Sequence, residues 1–355
     1  MAFSKSMEIG ELFLEGLSSS LDHLVPRGSV VLIAVSGGPD SLALLEGWMR
    51  LAPARGDVLH VAHFDHALRE DSNADAKFVA AVAENLSVPF HHERAMCSLR
   101  QEAKGSLEAA ARDARYQFLA KQAHAVGASV VATGHTADDQ VETVLFSILR
   151  GTGLHGLAGM PQRRSLDGGM ELVRPLLGLR RREILSFLEK IGRNYLTDPT
   201  NQSVEHARNR VRWELLPMLR EAWNPRVDES LLRLSELADR TSRLLTSLAD
   251  QLLTRATVDS GDAFLLLDAS VLRREDPLLV AEMYRRVFEK YSLPRARLGH
   301  DELRRLAGLH EEDSPRAWDL ADGVRAEKRL GKKDGIRVTW RPLSEGLVGD
   351  ACRDE

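Results

Sequence analysis

From Val30 onward, short β-branched apolar runs alternate with stretches in which apolar residues recur every three to four positions. The runs Val30 to Val35, Val58 to Phe64, Val88 to His92, Val130 to Thr133 and Leu172 to Val173 predict strands. Between them the helical period, with capping or acidic residues at its start, predicts helices over Leu42 to Met49, Asp71 to Leu86, Ser106 to Val126 and Asp138 to Arg150. Such alternation specifies an α/β fold, a parallel sheet with helices on both faces whose ligands bind at the carboxyl ends of the strands. The hexapeptide Leu24-Val25-Pro26-Arg27-Gly28-Ser29 has the form of a thrombin site, but the strand pattern directly after it makes it a helix-to-strand turn.

After about Pro217 the pattern changes to long helical periods, Val227 to Ala256 and Pro277 to Tyr291, interrupted by the apolar run Phe264 to Leu267. Trp318 to Ala326 and Gly335 to Trp340 read as a β-hairpin with its turn at Gly331 to Gly335. The expected organisation is therefore a first domain over residues 1–218 and a smaller, mainly helical second domain over residues 219–355 that ends in the hairpin.

A chain of 355 residues exceeds one ordinary hydrophobic core, in keeping with two domains. With 43% hydrophobic and 28% charged residues, it carries enough apolar material to fold and no signature of disorder. No apolar run approaches the ~18 residues of a membrane span, and Lys5, Glu8 and Glu11 interrupt any signal peptide, so a cytoplasmic protein without membrane association is expected. Cys97 and Cys352 lie far apart with no partner at Cys-x-x-Cys spacing, which suggests neither a disulfide framework nor a structural zinc site. No pattern specifies an oligomeric state.

The net charge of −4 rules out an all-round basic coat, so any nucleic-acid binding must rest on local clusters. Three are present: Arg180 to Arg182; Arg208, Arg210 and Arg212; and Lys328, Arg329, Lys332 and Lys333. Aromatic residues make up only 5%, which favours polar contacts over rows of stacking platforms.

The most informative loop is Ser36-Gly37-Gly38-Pro39-Asp40-Ser41, placed between a strand pattern and a helix. There the free amides and dipole of a helix start favour phosphate, and glycines permit close backbone approach. The loop lacks the lysine that reaches the terminal phosphates in G-x-x-x-x-G-K-[ST] loops, so cradling a pyrophosphate leaving group suits it better than γ-phosphoryl transfer. Asp40 beside phosphates requires Mg²⁺ or a substrate ammonium between the charges; helix capping is its ordinary alternative.

This pattern resembles the PP-loop ATP pyrophosphatase superfamily, whose fold is that of the adenine nucleotide alpha hydrolases. Further matches, running from Val30 to about Leu219, resemble its tRNA(Ile)-lysidine synthetase branch. They begin with His63-Phe64-Asp65-His66-Ala67-Leu68-Arg69, where the two histidines also fit metal ligands or plain strand-end residues. Next come Glu108 to Tyr116, containing Arg115, and Ala132-Thr133-Gly134-His135-Thr136-Ala137-Asp138-Asp139-Gln140-Val141-Glu142-Thr143. The latter continues through Arg150-Gly151-Thr152-Gly153 to Met160, and Arg174-Pro175-Leu176-Leu177, Asp198-Pro199-Thr200-Asn201 and Arg208 to Arg212 complete the set. Thr200 stands where the family usually has serine. On a helix Asp139 and Glu142 share a face and, with Asp40, could hold a lysine ammonium; a solvated helix face is the alternative.

The resemblance implies ATP and Mg²⁺ as cofactors, and as partners free L-lysine and tRNA(Ile) with a CAU anticodon. It implies adenylation of C2 of the wobble cytidine followed by attack of the lysine ε-amine, a carbon–nitrogen ligase reaction giving lysidine, AMP and pyrophosphate. By the same resemblance Asp40, Arg115, Asp139 and Glu142 are catalytic, with Asp40 also meeting the metal. Ser36, Gly37, Gly38, Pro39, Asp40, Ser41, His63, His66, Gly134, His135, Arg150, Gly151, Thr152 and Gly153 would contact the nucleotide, and Arg69, Arg174, Arg208, Asn209 and Arg212 the tRNA. A PP-loop tRNA 2-thiolation enzyme is the nearest rival, disfavoured by the lack of paired cysteines, and a silent tRNA-binding protein is disfavoured by the presence of all four catalytic residues. Some relatives carry a further C-terminal domain for tRNA recognition, and a chain without a complete domain of that kind is expected here.

Overall fold

The computed structural model describes residues 2–66, 72–95, 107–166, 169–196, 207–293, 298–311, 313–320, 323–329 and 334–340. Its elements in the first part of the chain are α1 (Ala2–Leu24), β1 (Val30–Ala34), α2 (Pro39–Arg55), β2 (Val58–Asp65), α3 (Ser72–Asn85), β3 (Phe90–Arg94), α4 (Leu107–Ala125), β4 (Val130–Thr133), α5 (Ala137–Leu149), the single turn α6 (Leu154–Leu157), β5 (Arg163–Leu166), β6 (Met170–Val173) and α7 (Arg181–Lys190). A helix then runs through α8 (Ala207–Arg210), a π-helical turn (Val211–Leu215) and α9 (Leu216–Ala222). The rest comprises α10 (Val227–Ala256), β7 (Thr257–Gly261), β8 (Phe264–Asp268), α11 (Ala269–Leu272), α12 (Pro277–Lys290), α13 (His300–Ala307), β9 (Ala317–Asp319), β10 (Arg325–Arg329) and β11 (Gly335–Thr339).

The chain forms two compact units, residues 1–152 with 156–236, and residues 153–155 with 237–355; the division falls within α10. In the first, six strands are ordered β3-β2-β1-β4-β6-β5. The first five are parallel and β5 closes the edge antiparallel to β6. Strand order runs outward in opposite directions from β1, so a crevice opens beyond the carboxyl ends of β1 and β4. Both faces are covered: Val31 and Ile33 of β1 enter a core with α1, α2, α3 and α7, while Leu32 enters a second core with Tyr116, Phe118 and Leu119 of α4. This burial on both sides explains why the parallel strands read as continuous apolar runs.

Helix α2 is longer than its apolar period suggested because Pro39 presets the first turn and Gly56, at φ +74°, caps the end with its N–H on Ala52 O. The 24–29 segment is integral: Gly28 and Ser29 donate their N–H groups to Asp57 Oδ1 at 3.0 and 3.3 Å. Helix α1 buries Phe13, Leu17, Leu21 and Leu24, spaced four, four and three apart, and Phe13 stacks on Phe187 of α7 with ring centroids 4.4 Å apart. Two elements have no sequence signature of their own type. Strand β5 reads Arg-Arg-Ser-Leu, polar because it is a half-solvated edge. The π-helical turn precedes Pro217, which has no N–H to donate to Trp213 O, so the helix widens ahead of it.

In the second unit five antiparallel strands are ordered β7-β8-β11-β10-β9 around a core that includes Leu265, Leu267, Tyr284, Phe288 and Val338. The hairpin expected near the end is the β10–β11 pair, registered Arg325 to Thr339 and Arg329 to Gly335. The stretch Trp318 to Ala326, read as one strand, is divided into β9 and β10 because Gly323, at φ +79°, turns the chain and Leu320 N donates to Val324 O at 2.8 Å.

Candidate active site

A cavity of about 400 Å³ lies at the crevice between β1 and β4. Its lining includes Ser36, Gly38, Asp40 and Ser41 from the loop after β1, Phe64 and His66 from the end of β2, Arg115 and Leu119 from α4, and Thr133, Gly134, His135 and Asp139 from the end of β4 and the start of α5. Ala34, Val35, Ala62, Phe64 and Leu119 give one wall an apolar character suited to a flat base, while the loop supplies a polar mouth.

The loop is braced from within. Ser41 Oγ accepts from Ser36 N at 3.2 Å and donates to Gly38 O at 3.0 Å. Gly37 takes φ +89°, where a side chain would also strike Leu196, whose N–H donates to Gly37 O. Gly134 is required for another reason: a Cβ there would lie 2.9 Å from Asp40 C and Ser41 N, so only glycine lets the end of β4 close on the loop. Asp40 stands in the first turn of α2, where the helix dipole points at the cavity.

Among the described residues, three polar atoms in this lining are buried without a hydrogen-bond partner: Asp40 Oδ1, His66 Nδ1 and Arg115 Nε. Such atoms are rare in folded proteins and here they share one cavity. Burial pushes the Asp40 carboxyl up to about 6 against the opposing Arg181 guanidinium, which meets Oδ2 at 2.9 Å; Asp139 adds to the rise. Burial, with Arg115 alongside, takes the His66 imidazolium down to about 4, and burial takes His135 to about the same value. Both rings are therefore neutral at physiological pH and can accept or donate a hydrogen bond without repelling a cation.

The structure distributes the other expected site residues unevenly. Asp139 lines the cavity, but its Oδ2 also accepts from Thr136 N at 2.8 Å and Thr136 Oγ1 at 3.0 Å, forming the capping box of α5. Glu142, one turn on, is buried and faces Arg212 at 3.3 Å and Arg208 at 3.7 Å; burial raises its carboxyl against those arginines. Arg208 and Arg212, both half-buried, thus share Glu142, with Arg208 also donating to Thr143 Oγ1 at 3.0 Å. Asn209 on α8 is half-buried. His63 does not line the cavity; it donates from Nδ1 to Val35 O at 2.8 Å and ties β2 to β1.

Arg150, Gly151, Thr152 and Gly153 also lie outside the cavity lining: Gly151, at φ +72°, follows the end of α5, and Arg150 folds over the Phe146 ring. Arg174 is not on the surface. It is 1% exposed and donates to Pro161 O at 2.7 Å, because the chain turns inward after β6. Arg69 and the Asp198 to Asn201 signature fall outside the described residues. Arg181, read only as part of a basic cluster, proves to be the partner of Asp40, while its N–H donates to Asp138 Oδ2 at 2.7 Å. A triplet of arginines at a helix start could not reveal which one turns inward.

The fold and this cavity define a nucleotide-binding α/β domain of the PP-loop class, and the PP-loop domain family matches residues 14–219. Among solved structures, the U34-tRNA thiolase NcsA from Methanococcus maripaludis superposes with a TM-score of 0.55 at 16% identity, over 65% of this chain and 80% of that one, a likeness of fold alone. Proteins named tRNA(Ile)-lysidine synthase are much nearer in sequence. That of Gloeobacter violaceus is 44% identical over 64% of this chain and 68% of its own length, and that of Chlorobaculum tepidum 34% identical over 88% and 92%. The match to the Symbiobacterium thermophilum protein, 38% identical over 87% of this chain, spans 65% of that relative's length. The chain belongs to the tRNA(Ile)-lysidine synthase family of PP-loop proteins. That family uses ATP, and among the described residues no helix is long and apolar enough to cross a membrane.

Proposed function

We propose that the chain is an ATP-dependent carbon–nitrogen ligase that converts the wobble cytidine of tRNA(Ile) with a CAU anticodon to lysidine, acting in the cytoplasm. The observation that carries this reading is the single cavity in which the loop at Ser36 to Ser41, the unpartnered Arg115 Nε and the carboxylates of Asp40 and Asp139 converge.

In the first step the C2 oxygen of the cytidine attacks the α-phosphorus of ATP and pyrophosphate leaves; in the second the lysine ε-amine attacks C2 and the oxygen departs with AMP. The loop and the start of α2 hold phosphate oxygens, and the apolar wall of Ala62, Phe64 and Leu119 holds the adenine. Arg115 stabilises charge on the departing phosphate, its unsatisfied Nε being a donor already in place. Asp40 and Asp139 receive the lysine ammonium. Glu142, engaged by Arg212 and Arg208, orients that end of the site from behind Asp139.

Asp40 Oδ1 is unpartnered, and among the described residues no group of three His, Cys, Asp or Glu converges. A lone carboxylate fits Mg²⁺, which takes one or two carboxylates and completes its shell with phosphate and water, and would neutralise phosphate charge.

Incubating the protein with ATP, Mg²⁺, labelled lysine and a CAU-anticodon tRNA(Ile) transcript should fix label on the RNA, whereas a tRNA(Met) transcript sharing that anticodon should stay unlabelled. Absence of label on tRNA(Ile) sinks the reading. Sulfur incorporation in its place points to 2-thiolation.

A further inference from the structure

Beside the cavity, on the α4 face of β6 and β5, the Tyr116 ring is the centre of a cluster of guanidiniums. Arg164 lies 4.6 Å from its centroid and Arg112 and Arg115 each 5.4 Å away. Burial raises the Tyr116 phenol, but Arg115 and Arg112, followed by Arg174 and Arg164, hold it below its ordinary value. Burial in turn lowers Arg174 itself. Among the described residues none of these four arginines meets a carboxylate at ion-pair distance, although the chain as a whole is acidic. Four like charges gathered in a half-buried place repel one another unless an anion joins them.

The polar atoms are left open accordingly. Arg115, Arg164 and Arg174 each have a buried Nε with no hydrogen-bond partner, and Arg174 is 1% exposed. Arg112 is exposed and Arg164 half-buried, so solvent reaches the cluster from one side. Its place in the sheet separates it from the loop that serves the nucleotide. β6 lies beyond β4 from β1, and antiparallel β5 begins where β6 ends, pairing Arg163 with Val173. At about 4.8 Å per strand, β6 is roughly 10 Å from the phosphate loop after β1. Arg115 belongs to both, lining the cavity on one side and the Tyr116 ring on the other.

We infer that Arg112, Arg164 and Arg115, backed by buried Arg174, form a second anion site that takes an RNA backbone phosphodiester next to the nucleotide being modified. This deepens the function proposed above and rests on RNA being the substrate. Guanidinium forks suit phosphate oxygens, and a phosphate fixed here positions the strand so that one unstacked base can enter the neighbouring cavity. The site carries no sequence information; it sets register.

The test measures binding rather than turnover, on the full chain. Fluorescence anisotropy with an anticodon stem-loop RNA bearing CAU, from about 50 to 200 mM salt, gives the affinity and its salt slope. Calorimetry gives the affinity for ATP. Arg164→Gln should weaken RNA binding about 5- to 10-fold and reduce the slope of log affinity against log salt by about 0.7 to 0.9, the loss of one phosphate contact, while Arg164→Lys keeps the slope and ATP affinity stays within about twofold. Should Arg164→Gln fail to fold, Arg112→Gln, an exposed substitution, makes the same comparison. An unchanged slope overturns the inference, as does a loss of ATP affinity with RNA binding intact, which assigns the arginines to the nucleotide. Because lysine and catalysis play no part in these measurements, RNA binding that depends on Arg164 sustains this site even if no lysidine forms. A normal lysidine yield with an unaltered slope defeats the site alone.

Discussion

Asp40 in the first unit and Glu282 in the second are carboxylates drawn out of water beside an arginine, and their protons are held in opposite directions. Glu282 is 6% exposed, yet its carboxyl is pulled down to about 2: burial raises it, but His155 and Arg285 outweigh that. His155 Nε2 sits at 3.0 Å, Arg285 Nε donates at 2.9 Å and Thr246 Oγ1 at 3.1 Å. Asp40 has one partner, Arg181, one bare oxygen, and Asp139 as a like charge nearby; it is pushed up to about 6. Burial raises both carboxyls, so burial alone does not separate them. The number of donors does, and the difference separates a carboxylate whose partners are all within the fold from one that still lacks a partner.

The largest test of that contrast exchanges activity for stability at the two positions. Asp40→Asn should lower lysidine formation by at least about a hundredfold without lowering the melting temperature. Glu282→Gln should do the reverse, costing about 3 kcal/mol in denaturant unfolding because Arg285 and His155 lose their counter-charge, with turnover per folded molecule changed less than about threefold. If both variants lose stability alike, the distinction between the two carboxylates is broken.

Their pH dependence should also run in opposite senses. Glu282 in the folded protein lies below its ordinary 4.5, so its stabilising contribution is complete above about 4.5 and disappears as pH falls toward about 2. Asp40 lies above its ordinary 3.8, so the unfolded chain ionises first. On its account stability declines as pH rises from about 4 to about 6, and Asp40→Asn removes that decline. Turnover should climb through pH about 6 as Asp40 becomes charged. Denaturant melts of the two variants between pH 3 and 8 (roughly the span of both windows), set against wild type, read these signs directly.

A smaller effect is expected from shape alone. Gly134→Ala places a methyl 2.9 Å from Asp40 C and Ser41 N, and shifting the loop by a few tenths of an ångström should lower kcat/KM for ATP by tens of fold. Gly178→Ala, where no atom lies within 4 Å of the added carbon, should leave it unchanged. Equal losses would mean that the approach of β4 does not set the geometry around Asp40.

These contrasts were only partly legible in the sequence. The parallel sheet was, because strands buried on both faces read as apolar runs, and so was the placement of Ser36 to Ser41 between a strand and a helix. Partnership was not. Nothing in the triplet Arg180 to Arg182 marks Arg181 as the one that reaches Asp40, since that depends on how α7 is presented after Leu177. Arg208 and Arg212 read as surface cations, but the π-helical turn caused by Pro217 helps aim them at Glu142. Arg174 looked like a phosphate contact and is buried, because a guanidinium can meet carbonyls such as Pro161 O as well as phosphates. The Glu282 network joins residues 127 positions apart, from His155 to Glu282, a separation at which no local pattern operates.

The finest discrimination concerns Arg181. If the proton on Asp40 is governed by a single ion pair, whereas that on Glu282 is shared among several donors, removing one arginine should move the first carboxylate far more than the second. Arg181→Gln withdraws the cation that favours the charged form of Asp40, so the carboxyl must rise above about 6 and the acid limb of the pH–rate profile should shift upward by about one unit. At pH 8, roughly two units above the limb, Asp40 remains mostly ionised and the rate should fall by less than about threefold. Thr246→Val, which takes one neutral donor from Glu282, should leave that carboxyl ionised at every pH where the protein is folded, because His155 and Arg285 still face it. An acid limb unmoved in Arg181→Gln would mean that the ion pair does not control Asp40, leaving burial and Asp139 to set its proton affinity.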